Sequence, residues 1–339
     1  MNLISCIHRF FDQYLSNIKG CSVQTTRAYR DTFKLFLPFA AQYRGVKIKS
    51  LQLDHLTSDL ILDFLDHLQS KRGNLPATRN QRLAAIKSLA KMIRFMHPDK
   101  RHLADRILAI PQKRSQRKLI GFLYPDEVLK VYQAVDLSKS GGLLDYTILN
   151  LLYDSGARAS EIATLNLDYF DPQHQILAIL GKGDRYRQLQ LWPKTTELIK
   201  TYIINDRKEP NPLYRQRLFI NQRGDGFTRH GINRICKKYL QGALDPKRLQ
   251  NINPAHSFRH SCAVRMLCAG EPVTDIKNRL GHENIQSTMT YLRLDLTHKR
   301  SIQEKFIQYS QALLHQDPKL EALIDWENKQ DILAWLDTL

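Results

Sequence analysis

The chain has 339 residues, enough for two domains of ordinary size, and 42% of them are hydrophobic, which excludes a disordered composition. Its 51 Lys+Arg against 33 Asp+Glu give a formal charge of +18, and an excess that large favours a polyanionic partner, because each neutralised phosphate releases condensed counterions. No segment approaches the ~18 uninterrupted apolar residues of a membrane span, and Met1 to Phe11 lacks the basic-then-apolar order of a signal peptide. Cys6, Cys21, Cys236, Cys262 and Cys268 are odd in number and include no Cys-x-x-Cys pair, so reduced thiols of a cytoplasmic protein are expected rather than a disulfide framework or a zinc site.

Residues 1–110 read as helical. Ser22 is placed to cap a helix carrying Ala28, Phe33, Leu35, Phe36 and Phe39, and Thr57 or Ser58 to cap another with Leu60, Ile61, Phe64, Leu65 and Leu68 on one face. Pro76 reads as the first-turn proline of a third, whose Leu83, Ile86, Leu89, Ala90 and Ile93 form a core stripe. The opposite face carries Arg79, Arg82, Lys87, Lys91 and Arg94, a candidate DNA-contacting surface, although a basic face is often merely solvated. Residues 111–118 contain Lys113, Arg114 and Arg117 without apolar periodicity and read as a basic linker that could track a phosphate backbone.

Residues 119–315 mix helix and strand. Leu143 to Tyr153 predicts a buried helix running into Gly156; Gln175 to Leu180 and Tyr186 to Leu191 predict two strands joined by the Gly181-Lys182-Gly183-Asp184-Arg185 loop. Lys194 to Asp206 predicts a helix after Trp192-Pro193, and from Asn253 the pattern is helical, broken at Gly270 and Gly281. Charge divides along the same lines: 18 Lys/Arg against 8 Asp/Glu over 1–110, 31 against 19 over 111–315, and 2 against 6 over 316–339. Two basic bodies and an acidic, apolar-rich tail suit a clamp on DNA whose tail does something else.

Five short segments carry the chemistry. They are Gly156-Ala157-Arg158-Ala159-Ser160-Glu161, Gly181-Lys182-Gly183, His256-Ser257-Phe258-Arg259-His260, Leu280-Gly281-His282, and Thr288-Met289-Thr290-Tyr291. Guanidinium groups can grip two phosphate oxygens at once, and His256 and Arg259, three apart on a helix, share a face. Imidazoles carry protons, and a tyrosine hydroxyl can attack once its proton, of ordinary pKa about 10, is removed. No carboxylate cluster lies beside these motifs to hold Mg²⁺. Singly, each residue has a bland reading as a surface ion-pair former, a satisfied polar group or a core aromatic. Together and in this order, they resemble the tyrosine recombinase (phage integrase) family, from about Leu119 to about Leu314.

The resemblance implies a fold, a reaction and a set of roles. The fold is an α-helical N-terminal core-binding domain (1–110), a basic linker (111–118) and a mixed α/β catalytic domain, mainly helical with a small antiparallel sheet (119–315). The reaction is site-specific recombination of double-stranded DNA at a specific crossover site through a 3′-phosphotyrosine on Tyr291, without metal, ATP or other cofactor. Arg158 and Arg259 would bind the phosphate, His282 would hydrogen-bond it, His256 would act as base, and Lys182 as acid for the 5′ oxygen; Arg185, Arg187 or Lys194 could stand in for the lysine in a shifted hairpin. Glu161 reads either as a buttress or as a first-turn carboxylate, Ser160 as a cap of the short helix after Arg158, His260 as a supporting residue, and Tyr309 as the poorer nucleophile. Residues 316–339 would dock on a neighbouring protomer to build a tetramer on DNA. Pro254 stands one place earlier than the family's usual proline, and Ala157 and Ala159 fill places often larger in the family. The chain leaves no room for a separate arm-binding domain before its first helices, which points to a mobile-element, plasmid or chromosome-resolution enzyme. A catalytically silent DNA-binding or architectural protein, and a type IB topoisomerase-like activity, are the alternatives.

Overall fold

Apolar residues recurring at three- and four-residue spacing dictate most of the structure, and local chemistry decides where each helix stops. The computed structural model describes residues 1–114, 121–181 and 185–292. Arg117, Lys182, Tyr309, the end of the basic linker and the 316–339 segment lie outside the described residues. The chain divides into two units, Met1–Lys118 and Leu119–Leu339.

In the first unit α1 (Leu3–Arg9) runs into a π-helical stretch, Phe10–Ile18, followed by α2 (Val23–Arg44), α3 (Ser58–Ser70), α4 (Pro76–Met96) and α5 (Arg101–Ala109). Ser22 Oγ accepts the Thr25 N–H and Thr57 Oγ1 the Leu60 N–H, each satisfying a donor that the helix itself leaves without a partner. Pro76 sits in the first turn of α4, where its missing N–H costs nothing. Leu83, Ile86, Leu89, Ala90 and Ile93 are buried together with Phe10, Phe33, Phe36 and Phe64. Phe36 meets Phe64 edge-on at 5.1 Å between ring centres. Burying each such side chain is worth roughly 1.5–3 kcal/mol.

The basic face expected on α4 is only partly a free surface. Arg79 is buried, because it stands in helical register with Leu83 and Ile86 and so falls on the core stripe. Lys87 Nζ donates to Leu108 O at the end of α5 (2.7 Å), where the carbonyl end of a helix favours a cation. Arg82 is half-buried and Arg94 pairs with Asp105, while Lys91, Lys113 and Arg114 are exposed. Lys113 is also anchored, its backbone N–H and C=O both bonded to the Asn80 side chain.

The second unit contains α6 (Pro125–Gln133), α7 (Gly142–Ser155), α8 (Ala159–Thr164), β1 (Phe170–Asp171), β2 (Ile176–Leu180), β3 (Tyr186–Gln190), α9 (Pro193–Asn205), α10 (Arg229–Ala243), α11 (Pro246–Leu249), α12 (Pro254–Cys268), α13 (Val273–Leu280) and α14 (Gln286–Leu292). The sheet is antiparallel in the order β1-β2-β3, with Ile176 opposite Gln190 and Leu180 opposite Tyr186. Gly181 N–H donates to Arg185 O (2.8 Å) and closes the hairpin where the sequence places it. β1 was not expected; two residues are too short to display alternation. α7 is buried nearly all round and packs against α9 and α12, so the start of α8 and one face of α12 come together at its end. The architecture is thus a helical N-terminal unit followed by a mainly helical unit with one small antiparallel sheet. All five cysteines are free thiols. No helix among the described residues is long and apolar enough to cross a membrane.

Candidate active site

α7 ends at Gly156, whose φ of +61° a side chain would strain. An added Cβ would also meet Leu280 Cδ2 at 2.6 Å, so glycine serves both the turn and the close approach of α13. Two residues on, Arg158 is the N-cap of α8, in extended conformation. Ser160, expected as the cap, lies inside the helix instead. The Glu161 carboxylate does the capping from within: Oε2 accepts the Arg158 N–H (2.8 Å) while Oε1 accepts Arg158 Nη1 (2.7 Å). One carboxylate therefore completes the helix start and holds the Arg158 guanidinium.

Glu161 is buried, and burial alone would raise its pKa. The Arg187 guanidinium, and then Arg158, outweigh burial and hold it below the usual carboxylate range. Arg187 comes from β3 and is itself bidentate on Glu161, through Nη1 (3.2 Å) and Nη2 (2.7 Å). Its Nε donates to Arg279 O (2.9 Å), so it has no role to spare as a substitute for Lys182.

α12 supplies His256, Arg259 and His260. Arg259 is buried, with Nη1 on Gly156 O and Nη2 on Leu280 O, both at 2.7 Å. These carbonyls close α7 and α13, whose negative ends attract a cation. Burial, and then the like charge of Arg158, lower the Arg259 pKa to about 10, which leaves it charged at neutral pH. His256 is exposed one helical turn before His260, and their rings stack with centres 6.1 Å apart. Desolvation, then Arg259, Arg158 and Arg229, push His256 below the ordinary histidine value.

Tyr291, on α14, is only 3% exposed. Its ring packs with Cys262, Ala263, Val264, Met266, Ile276 and Leu280, but its hydroxyl is hydrogen-bonded to His260 Nδ1 at 2.7 Å. Burial pushes the phenol up to about 12, against the opposing pull of Arg259 and Arg158. His260 is lowered to about 4 by burial, then His256 and Arg259, so its ring is neutral at neutral pH. His282 follows Gly281 at the end of α13, with Nδ1 on Thr288 Oγ1 (2.8 Å), and burial followed by Arg259 and Arg158 lower it to about 4.

The described candidates Arg158, His256, Arg259, His282 and Tyr291 thus belong to one electrostatic neighbourhood. The histidine on the Tyr291 hydroxyl is His260, however, where the sequence reading gave the proton to His256 and a supporting place to His260. The four-residue spacing of the two histidines, which puts both on one helix face, was the available signal. Arg187 was read only as a stand-in for Lys182; sharing a strand face with buried Leu189 marked it as a charge pointing inward. Among the described residues no group of three or more His, Cys, Asp or Glu is placed to hold a metal ion.

A helical first unit, a three-stranded antiparallel hairpin sheet and an Arg, His-x-x-Arg, His, Tyr constellation define a class. Residues 121–298 match the model of the phage integrase family, and residues 8–94 that of its N-terminal SAM-like domain. The chain belongs to the phage integrase family, that of the site-specific tyrosine recombinases. It is 32% identical over 312 residues to a Sinorhizobium fredii protein named "Putative integrase/recombinase y4rC", covering 91% of this chain and 93% of that protein. It is 28% identical to the tyrosine recombinase XerC of Pelotomaculum thermopropionicum, covering 82% of this chain and 90% of that one. Its fold resembles that of XerH recombinase bound to its palindromic difH substrate, with a TM-score of 0.65 at 19% identity over 87% of this chain and 86% of that one.

Proposed function

We propose that this chain cuts and rejoins double-stranded DNA at a specific crossover site with Tyr291 as nucleophile. The Tyr291 oxygen attacks the scissile phosphorus as the bond to the 5′ oxygen breaks, which leaves a 3′-phosphotyrosine and a 5′-hydroxyl. The phenolic proton passes to the His260–His256 pair, and Lys182 protonates the departing oxygen. Arg158, Arg259 and His282 face the nonbridging oxygens; removing one such donor typically costs about 10²–10³ in rate. A partner strand's 5′-hydroxyl reverses the step, so bond energy is conserved without ATP. Residues 1–110 and the catalytic unit grip the duplex, with Lys91, Lys113, Arg114 and Arg117 on phosphate. The acidic 316–339 segment links protomers into a tetramer.

The observation that carries this reading is the Tyr291 hydroxyl on His260 Nδ1, in the field of Arg259 and Arg158. Names of the y4rC and XerC relatives as recombinases support it. Tyr291 is only 3% exposed, and DNA binding draws α14 off its apolar bed to bring the hydroxyl to the phosphate. That same burial is the one observation favouring a silent DNA-binding protein.

A pool of nicked suicide duplexes with randomised flanks separates the two. Full-length protein is expected to become covalently attached to a sequence-selected subset, whereas Tyr291→Phe still binds that subset and forms no adduct. Absence of any adduct with the wild-type chain on duplexes it selects by binding would establish the silent binder.

A further inference from the structure

Arg187 touches three of the segments that carry the candidate catalytic side chains, and it does so from a fourth element. Through Glu161 it meets Arg158: both arginines donate to Glu161 Oε1, at 3.2 Å and 2.7 Å. Through Nε it holds Arg279 O, at the end of α13 and three residues before His282. Its guanidinium also lies against Gly281, where an added Cβ would come within 2.9 Å of Nη1 and 3.2 Å of Cδ and Cζ. A Cβ on Gly181, the residue before Lys182, would lie 3.6 Å from Arg187 Nη1 and 3.9 Å from Glu161 Oε1. The Arg187 side chain is only 11% exposed and Glu161 5%, so the pair is shielded from solvent and its geometry is held.

We infer that Arg187 is a positioning residue for the cleavage step, fixing the aim of Arg158 through Glu161 and the turn at Gly281 that presents His282. It touches no DNA. Two features separate this role from simple packing. Every Arg187 donor for which a bond is seen goes to a group one or two steps from a candidate phosphate ligand. A neutral aliphatic side chain of similar length would leave Glu161 buried with a single cationic partner, Arg158, which would then be drawn inward onto both oxygens and away from the phosphate.

The inference rests on the recombinase reading above, and wild-type adduct formation tests that reading separately. With the wild-type adduct in hand, Arg187→Gln is expected to lose about 10²-fold in adduct rate, the scale of a reacting group displaced by about an ångström. Binding to the same duplex should change less than about threefold, since no phosphate contact is removed. Two further measurements exclude a merely structural loss. Replacing the scissile phosphate by a neutral methylphosphonate removes the charge that Arg158 stabilises, so the Arg187→Gln deficit should shrink to within about threefold there. Arg158→Gln/Arg187→Gln should cleave as slowly as Arg158→Gln alone, as expected of two residues acting in series. Should Arg187→Gln fail to fold, Glu161→Gln/Arg187→Gln leaves no unpaired buried charge and takes its place. A deficit of equal size on both substrates, additive losses, or wild-type rates in either variant would overturn the inference.

Discussion

The two units keep their charged groups in different places. In the first, the interior is aliphatic and aromatic apart from Arg79, and the other cations that touch it do so at the margins: Lys87 on Leu108 O, Arg44 on His55 O and Thr57 Oγ1. In the second, charge is inside. Asp154 is fully buried and holds Arg279 at 2.6 Å and the Trp192 N–H at 2.8 Å; Glu161 holds Arg187 and Arg158; Arg259 bridges two helix ends. Removing water from a charge is costly unless each partner is present, so the second unit adds buried ion pairs to an apolar core of its own, where the first relies almost wholly on apolar area. The candidate site residues Arg158 and Arg259 are held by such buried partners, the Glu161 carboxylate and the helix-end carbonyls of Gly156 and Leu280.

The largest contrast comes from one core change in each unit. Asp154→Ala leaves Arg279 without its buried counter-charge and should cost about 3–5 kcal/mol. Phe36→Ala in the first unit should cost a similar ~3–5 kcal/mol through lost transfer energy and a cavity. Denaturant melts of full-length variants are expected to show comparable losses, but adduct rate per bound molecule should fall only for Asp154→Ala, which loosens the α13 end before His282 by leaving Arg279 only its bonds to the Asp154 carbonyl. Equal loss of rate in both would erase the distinction between the units.

A smaller effect concerns pH. His260 and His282 are lowered to about 4 when folded, against about 6.5 in the unfolded chain. The unfolded state therefore binds more protons between these values, so their contribution is present above about 6.5 and is lost as pH falls toward 4. The melting temperature of the full chain should drop over that window, and His282→Gln should make the slope shallower. An unchanged slope in the variant would mean that this imidazole is not held neutral by its surroundings. The smallest change is Thr57→Ala, which removes the α3 cap for about 1 kcal/mol and should leave adduct rate per bound molecule untouched.

The sequence alone was informative wherever the relevant interaction is local. Helical period gave α2, α3 and α4 with their caps at Ser22 and Thr57 and the proline at 76, and residue type, order and spacing selected Arg158, His256, Arg259, His282 and Tyr291. It failed where a helix has two candidate faces or a strand has too few residues. Arg79 reads as part of a basic face until the register with Leu83 puts it on the stripe, and β1 has no alternation to read.

Which group meets which was decided by the tertiary structure. The Tyr291 hydroxyl finds His260 across 31 residues, and Arg187 finds Arg279 O across 92, through helices that converge only when α7, α12 and α13 pack together. A side chain's type is written at its own position, and so is its preference for helix or strand. Its hydrogen-bond partner, its burial and hence its affinity for a proton depend on surfaces brought from elsewhere in the chain, and these exist only after folding.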